Sequence, residues 1–220
     1  TATLEYTVTL EIADTYQYRL YNGGFETGDL TGWTVTSGTV NASAVREETV
    51  FWNEEIPYNK VGQYHFDGWQ ANSDEPSGYS LRSETFTLGG SGRISFKMGG
   101  RTAVLKVYTA DGTCIAEYAN TKFLNDDALF PHVDAGSRLA TMTTYVANLS
   151  AYLGQTLYIE ICDEPGENWG VVFFDDIVTY YETAPVLSEC YDVVQLNATT
   201  SSTGAPQEYH MPWETAVNRL

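Results

Sequence analysis

The chain has 220 residues, with 29 Asp and Glu against 11 Lys and Arg, and a formal charge of −18. That surplus of carboxylates repels phosphate backbones and anionic bilayers, so neither nucleic acid nor a membrane surface is a reasonable partner. No run is apolar enough to span a bilayer and no leader peptide is evident, as in a mature or excised piece of a longer exported protein.

The elements are read as β throughout. Leu4, Tyr6, Val8, Leu10 and Ile12 alternate with polar residues, the period of two that marks a half-buried strand. Residues 1–20 are therefore expected to form an N-terminal strand or extension. Asn22-Gly23-Gly24-Phe25-Glu26 follows, a glycine-broken strand entry with one carboxylate in the turn and Trp33 closing it. Residues 41–79 carry Trp52, Tyr64 and Trp69 without a strong strand pattern, which in a compact domain points to function or to unusual packing. Core packing is expected for at least two of those three aromatics.

From Leu81 the strands come quickly. Ile94, Phe96 and Met98 alternate with polar residues up to Gly99-Gly100; Ala103–Tyr108 and Cys114–Tyr118 flank Asp111-Gly112, a hairpin signal. A polar loop spans 120–139, and a strand is expected over Thr141–Val146. Leu157, Ile159 and Ile161 then alternate up to the acidic loop Asp163–Gly170, and Val171–Tyr180 closes the pattern. Many short strands with abundant turn residues predict an all-β sandwich or jelly roll. After Glu182 the pattern dissolves, and the Ser/Thr/Gly-rich composition of 197–206 predicts a linker over 183–220. The three cysteines, Cys114, Cys162 and Cys190, have no metal-ligand spacing, and no disulfide framework is expected.

The chemistry-bearing residues are carboxylates. Glu54/Glu55, Asp126/Asp127, Asp163/Glu164 and Asp175/Asp176 are adjacent pairs, and neighbours on a strand point to opposite faces. None is thereby a glycosidase pair, which needs two carboxylates facing one bond. His65, His132 and His210 show no zinc spacing, and neither a phosphate loop nor a nucleophile elbow occurs. The chain is read as a non-enzyme. Asp175 and Asp176 end an apolar strand, where charge is costly unless paired or bound to a cation. A calcium ion held by Glu26, an Asp of that pair and turn carbonyls such as that of Gly24 would neutralise both stretches.

Asn22–Trp33 (NGGFETGDLTGW) and the closing FFDDI of 173–177 resemble the first and last strands of the galactose-binding-like β-jelly-roll. The resemblance extends through Tyr79–Gly100, Asn148–Cys162 and Asp163–Asp176 to the family 66 carbohydrate-binding modules attached to fructan-degrading glycoside hydrolases of family 32, over roughly residues 21–182. It implies a non-catalytic module that binds fructan of levan or inulin type, folded as a jelly roll, with first and last strands side by side and a shared structural calcium. It also implies a covalently attached catalytic domain, bacterial secretion or surface display, and a monomer. The family 32 catalytic runs Asn-Asp-Pro-Asn and Arg-Asp-Pro are absent. Carried over block by block, the pocket falls among Gly99, Gly100 and Arg101, the pair Asp126 and Asp127, and Asp163, Glu164 and Trp169. Asp163 is the first choice as an acceptor of sugar hydroxyls, against an Asp that bonds its own loop. Two departures weaken the match: a histidine common before the last strand is missing, and Arg101 stands where an acidic residue is common. A spacer with a decayed pocket and an adhesin-like module for other glycans remain the alternatives.

Overall fold

Strands dominate the computed structural model, stacked as two sheets with an apolar core between them. It describes residues 15–51, 56–72, 78–120, 140–165 and 171–185, and the backbone of 193–197 and 207–209. The strands are β1 (Trp33–Ser37), β2 (Val45–Arg46), β3 (His65–Asp67), β4 (Tyr79–Ser83), β5 (Phe86–Thr87), β6 (Arg93–Gly100), β7 (Ala103–Thr109), β8 (Cys114–Ala119), β9 (Thr143–Asn148), β10 (Thr156–Asp163), β11 (Val172–Val178), β12 (Val193–Asn197) and β13 (Gln207–Tyr209). A short helix, α1, spans Gly68–Asn72. The first sheet runs β1-β4-β10-β7-β8, with β5 also on β10, and the second runs β13-β12-β9-β6-β11-β3-β2. This is the all-β jelly-roll sandwich that the strand pattern predicts. The alternating stretch Leu4–Ile12 lies outside the described residues.

Period-two alternation builds the core directly. Ile94, Phe96 and Met98 of β6 face Leu157, Ile159 and Ile161 of β10 across the sandwich, and all are buried. Phe96 stacks on Tyr145 of β9 at 5.5 Å between ring centroids. β11 reads as a continuous apolar run because both its faces are covered. Val172 and Phe174 enter the main core, while Val171 and Phe173 pack with Phe51, Ile56, Tyr58 and Met142 on the outer side of the second sheet. Part of the irregular stretch 41–79 thus acts as a cover, with Trp69 packed against that second cluster and Tyr64 against the main one. Trp52 lies outside the described residues.

Two departures from the sequence reading are structural. The opening motif is a series of turns, and the strand it leads into, β1, pairs with β4 in the first sheet, whereas β11 belongs to the second. Contact with β11 comes earlier in the chain: Ile177 N donates to Gly23 O at 3.0 Å, and Leu20 N donates to Thr179 Oγ1 at 2.9 Å. The tail expected as a linker supplies β12, which pairs in parallel with β9, and β13, which pairs with β12. Val193-Val194-Gln195-Leu196 has strand propensity, but its composition is masked by the Ser/Thr-rich residues that follow.

Candidate functional site

Five of the eight expected ligand residues meet at one end of the sandwich, where β6 and β10 finish and β7 and β11 begin. Gly99 and Gly100 are the last residues of β6, directly opposite Phe173 and Val172 of β11. Gly100 has φ +99°, and a Cβ there would collide with the Val171 carbonyl and stand 2.7 Å from Val172 Cα. Only glycine fits, and the chain turns sharply into the exposed Arg101, whose N–H donates to Val171 O at 3.0 Å. Asp126, Asp127 and Trp169 lie outside the described residues.

Asp163 and Glu164 part company at the end of β10. Asp163 continues the inward row Leu157, Ile159, Ile161, is only 5% exposed, and its Oδ1 accepts a hydrogen bond from Thr102 Oγ1. Burial pushes its carboxyl up to about 6, against the lowering effect of the Thr102 hydroxyl and with a further push from Glu164. Glu164 turns to the outer side, where its Oε1 accepts from Lys106 Nζ at 2.5 Å. The expected alternation of neighbours therefore holds, and only Asp163 is aimed between the sheets.

Three polar residues that the sequence did not mark complete the cluster. Tyr79 of β4 lies directly opposite Asp163, and its buried hydroxyl has no hydrogen-bond partner among the described residues. Burial, then the nearby charges of Asp163 and Asp67, hold that phenol well above its ordinary range, so it remains a neutral donor. Thr102 bonds Asp163 by its side chain and accepts from Glu164 N at 3.0 Å by its backbone. Asn120 closes the floor: Nδ2 donates to Gly100 O at 2.6 Å, and Oδ1 accepts from the Tyr145 hydroxyl. These partners come from strands far apart in sequence, and no local spacing announces them. What the arrangement offers is an acceptor, a phenol donor without a partner among the described residues, and a hydroxyl at the edge of an apolar core.

The expected metal stretch forms a separate cluster. Gly24, Glu26 and Asp175 come together around the segment 61–64. Val61 N donates to Asp175 Oδ2 at 2.7 Å, while Gln63 N and Tyr64 N each donate to Glu26 at 3.1 Å. Asp175 is buried, and its carboxyl is pushed up to about 7 by desolvation first, with Asp176 and Glu26 adding repulsion. At Gly24 a Cβ would stand 3.6 Å from Glu26 Cγ and 3.8 Å from Asp175 Oδ1, so the glycine leaves a space between the two carboxylates. Asp176, in the left-handed region at φ 48°, has its carboxyl raised by burial, with Lys97 pulling it back down. Among the described residues no group of three or more His, Cys, Asp or Glu converges as a metal cage. The two carboxylates are hard oxygen donors of the kind calcium takes, and each of their oxygens already accepts a backbone N–H, from Val61, Gln63, Tyr64 or Asp176.

The fold and the site define a β-sandwich with a cluster of buried polar side chains at one end. No protein-family model matches the chain, and no curated protein does. Solved structures similar to it include the carbohydrate-binding module TmCBM61 in complex with β-1,4-galactotriose, at 20% identity over 72% of this chain and 94% of that one, TM-score 0.41. A Stig cyclase from Fischerella sp. TAU is similar at 16% identity over 73% of this chain and 95% of that one, TM-score 0.44. The K3 cleaved adhesin domain of Lys-gingipain from Porphyromonas gingivalis W83 is similar at 14% identity over 73% and 96%, TM-score 0.42. By their names the three do different things.

Proposed function

We propose that this chain is a non-catalytic carbohydrate-binding module whose ligand binds at the Asp163 end. The observation that carries this is the inward Asp163 carboxyl, bonded by Thr102, on the same sheet face as a Tyr79 hydroxyl that has no hydrogen-bond partner among the described residues. A sugar ring needs acceptors and donors for adjacent hydroxyls together with apolar contact for its carbons, and this end of the sandwich mixes both at the edge of the core. Fructan of levan or inulin type is the ligand class that the sequence resemblance favours, in a bacterial secreted or surface protein whose attached family 32 hydrolase the module would hold on its substrate. Calcium, held by Glu26 and Asp175 with backbone carbonyls near Gly24, would serve structure and take no part in binding sugar. Catalysis is not expected, because Asp163 and Glu164 point to opposite sides of β10.

Affinity electrophoresis of the pure chain against levan, inulin and a panel of plant glycans tests this reading. Retardation on a fructan, with no fructose released from it, is the expected result. Retardation on other glycans alone would replace fructan by the adhesin-like alternative, and none on any glycan would leave a spacer domain. Release of fructose by the pure chain would overturn the non-catalytic assignment.

A further inference from the structure

Away from the Asp163 cluster, the first sheet carries a groove of about 520 Å³ at its β1 edge. Trp33, Thr34, Thr36, Arg82, Glu84 and Thr85 line it. Thr34 lies directly opposite Arg82, so the side chains of Thr34, Thr36 and Arg82 share the outer face, while Trp33 forms a wall from the buried side. Each wall is held in place. The Trp33 ring stacks on Phe25 at 5.3 Å and its Nε1 donates to Asn22 O at 3.0 Å. Arg82 lies over the Tyr158 ring, Cζ 3.8 Å from its centroid, and Tyr158 stacks in turn on Tyr108 at 5.0 Å. Thr36 Oγ1 donates to Glu160 Oε1 at 2.7 Å, and Glu84 N donates to Gly32 O at 3.0 Å, closing the end of the groove.

The contact with the Tyr158 ring holds the guanidinium in place, and its N–H groups supply donors. Glu84, exposed, supplies a carboxylate acceptor on the same groove, and the threonine hydroxyls serve in either sense. Both signs in one rigid groove suit a neutral polyhydroxy ligand. An anion would meet Glu84 in the groove, Glu160 bonded to Thr36 next to it, and a protein of charge −18. We propose that this groove is a second glycan site, in which adjacent hydroxyls of a neutral sugar unit bridge the Arg82 guanidinium and the Glu84 carboxylate. The inference rests on the reading of the chain as a glycan binder.

The two sites are distinct. Arg82 is three residues along β4 from Tyr79, the partner of Asp163, which is roughly 10 Å at the usual rise of a strand, and it projects from the other face of the sheet. A polysaccharide reaching both would bind the second site at high effective concentration, whereas a short oligosaccharide would fill each site separately. The module then grips polymer far more tightly than fragments.

Calorimetric titration of the whole chain with short levan and inulin oligosaccharides, alongside affinity electrophoresis on the polymers, decides the matter. The wild type should show two sites per chain. Glu84→Gln, at an exposed position, and Asp163→Ala should each show one, with retention on polymer weakened by roughly 10²-fold or more. Arg82→Ala should match Glu84→Gln, and its melting curve shows whether loss of the stack on Tyr158 has disturbed the sheet. A single site in the wild type that Asp163→Ala abolishes overturns the groove and leaves the Asp163 site standing. Two sites that survive Glu84→Gln also overturn it. A single site lost in Glu84→Gln but kept in Asp163→Ala supports the groove and removes the Asp163 site, and absence of binding to either oligosaccharide series removes both.

Discussion

Asp163→Asn separates a binding carboxylate from a structural one. The side chain is 5% exposed, and its carboxyl sits at about 6 instead of 3.8 because burial disfavours the ion. An acid whose pKa is raised on folding contributes stability that is fully present below its unfolded value and is lost as pH rises through its folded value. Here the loss accrues between about pH 4 and pH 6, and roughly two pKa units at 1.36 kcal/mol each give about 3 kcal/mol at neutral pH. Asn keeps an oxygen for the Thr102 hydroxyl and carries no charge to desolvate. In urea titrations the variant should therefore be more stable than the wild type at pH 8, by up to about 3 kcal/mol, with the gap closing towards pH 4. Affinity electrophoresis should show the opposite trend, since a charge-assisted hydrogen bond contributes roughly 1.5–3 kcal/mol to binding. Gain of stability with loss of binding is what a site kept for its ligand predicts. A variant that is less stable at pH 8, or whose gap does not vary with pH, would refute the argument and make Asp163 a structural residue of the strand end.

Phe96→Ala should cost roughly 3–5 kcal/mol, because the ring is fully buried between Tyr145 and Tyr118, and the melting transition should fall sharply or vanish; a near-native melting curve would mean the core is misassigned. Gly100→Ala should lose more than the roughly 1–3 kcal/mol of strain at φ +99°, because its Cβ also collides with the Val171 carbonyl, read as a lower urea midpoint, whereas the same change at the open Gly154 should cost only the strain of its own positive φ. Chelation should lower the melting temperature without abolishing glycan binding, since calcium at 100 times its dissociation constant adds about 2.7 kcal/mol, and Glu26→Gln should erase the difference; identical melts with calcium and with chelator would remove the metal.

Local periodicity decided the rows of the core. Ile94, Phe96 and Met98, or Leu157, Ile159 and Ile161, had to share a face because successive side chains alternate whatever lies across from them. The same rule placed Asp163 and Glu164 on opposite sides, and glycines at the β6 exit marked a turn that no side chain could enter. The partners depended on tertiary structure. Tyr79 meets Asp163 only through the register of β4 on β10, and Thr102 reaches it only through β7, so the cluster has no signature in any one stretch. Phe51, Ile56 and Tyr58 looked irregular because they follow the outer surface of the second sheet, where neither the strand nor the helix period applies. The tail strands were equally hidden, since pairing with β9 is decided by the free edge that β9 presents and not by the composition of the residues that fill it. Alternation is a property of neighbours along the chain, but a binding site is assembled from register, which only long-range pairing can set.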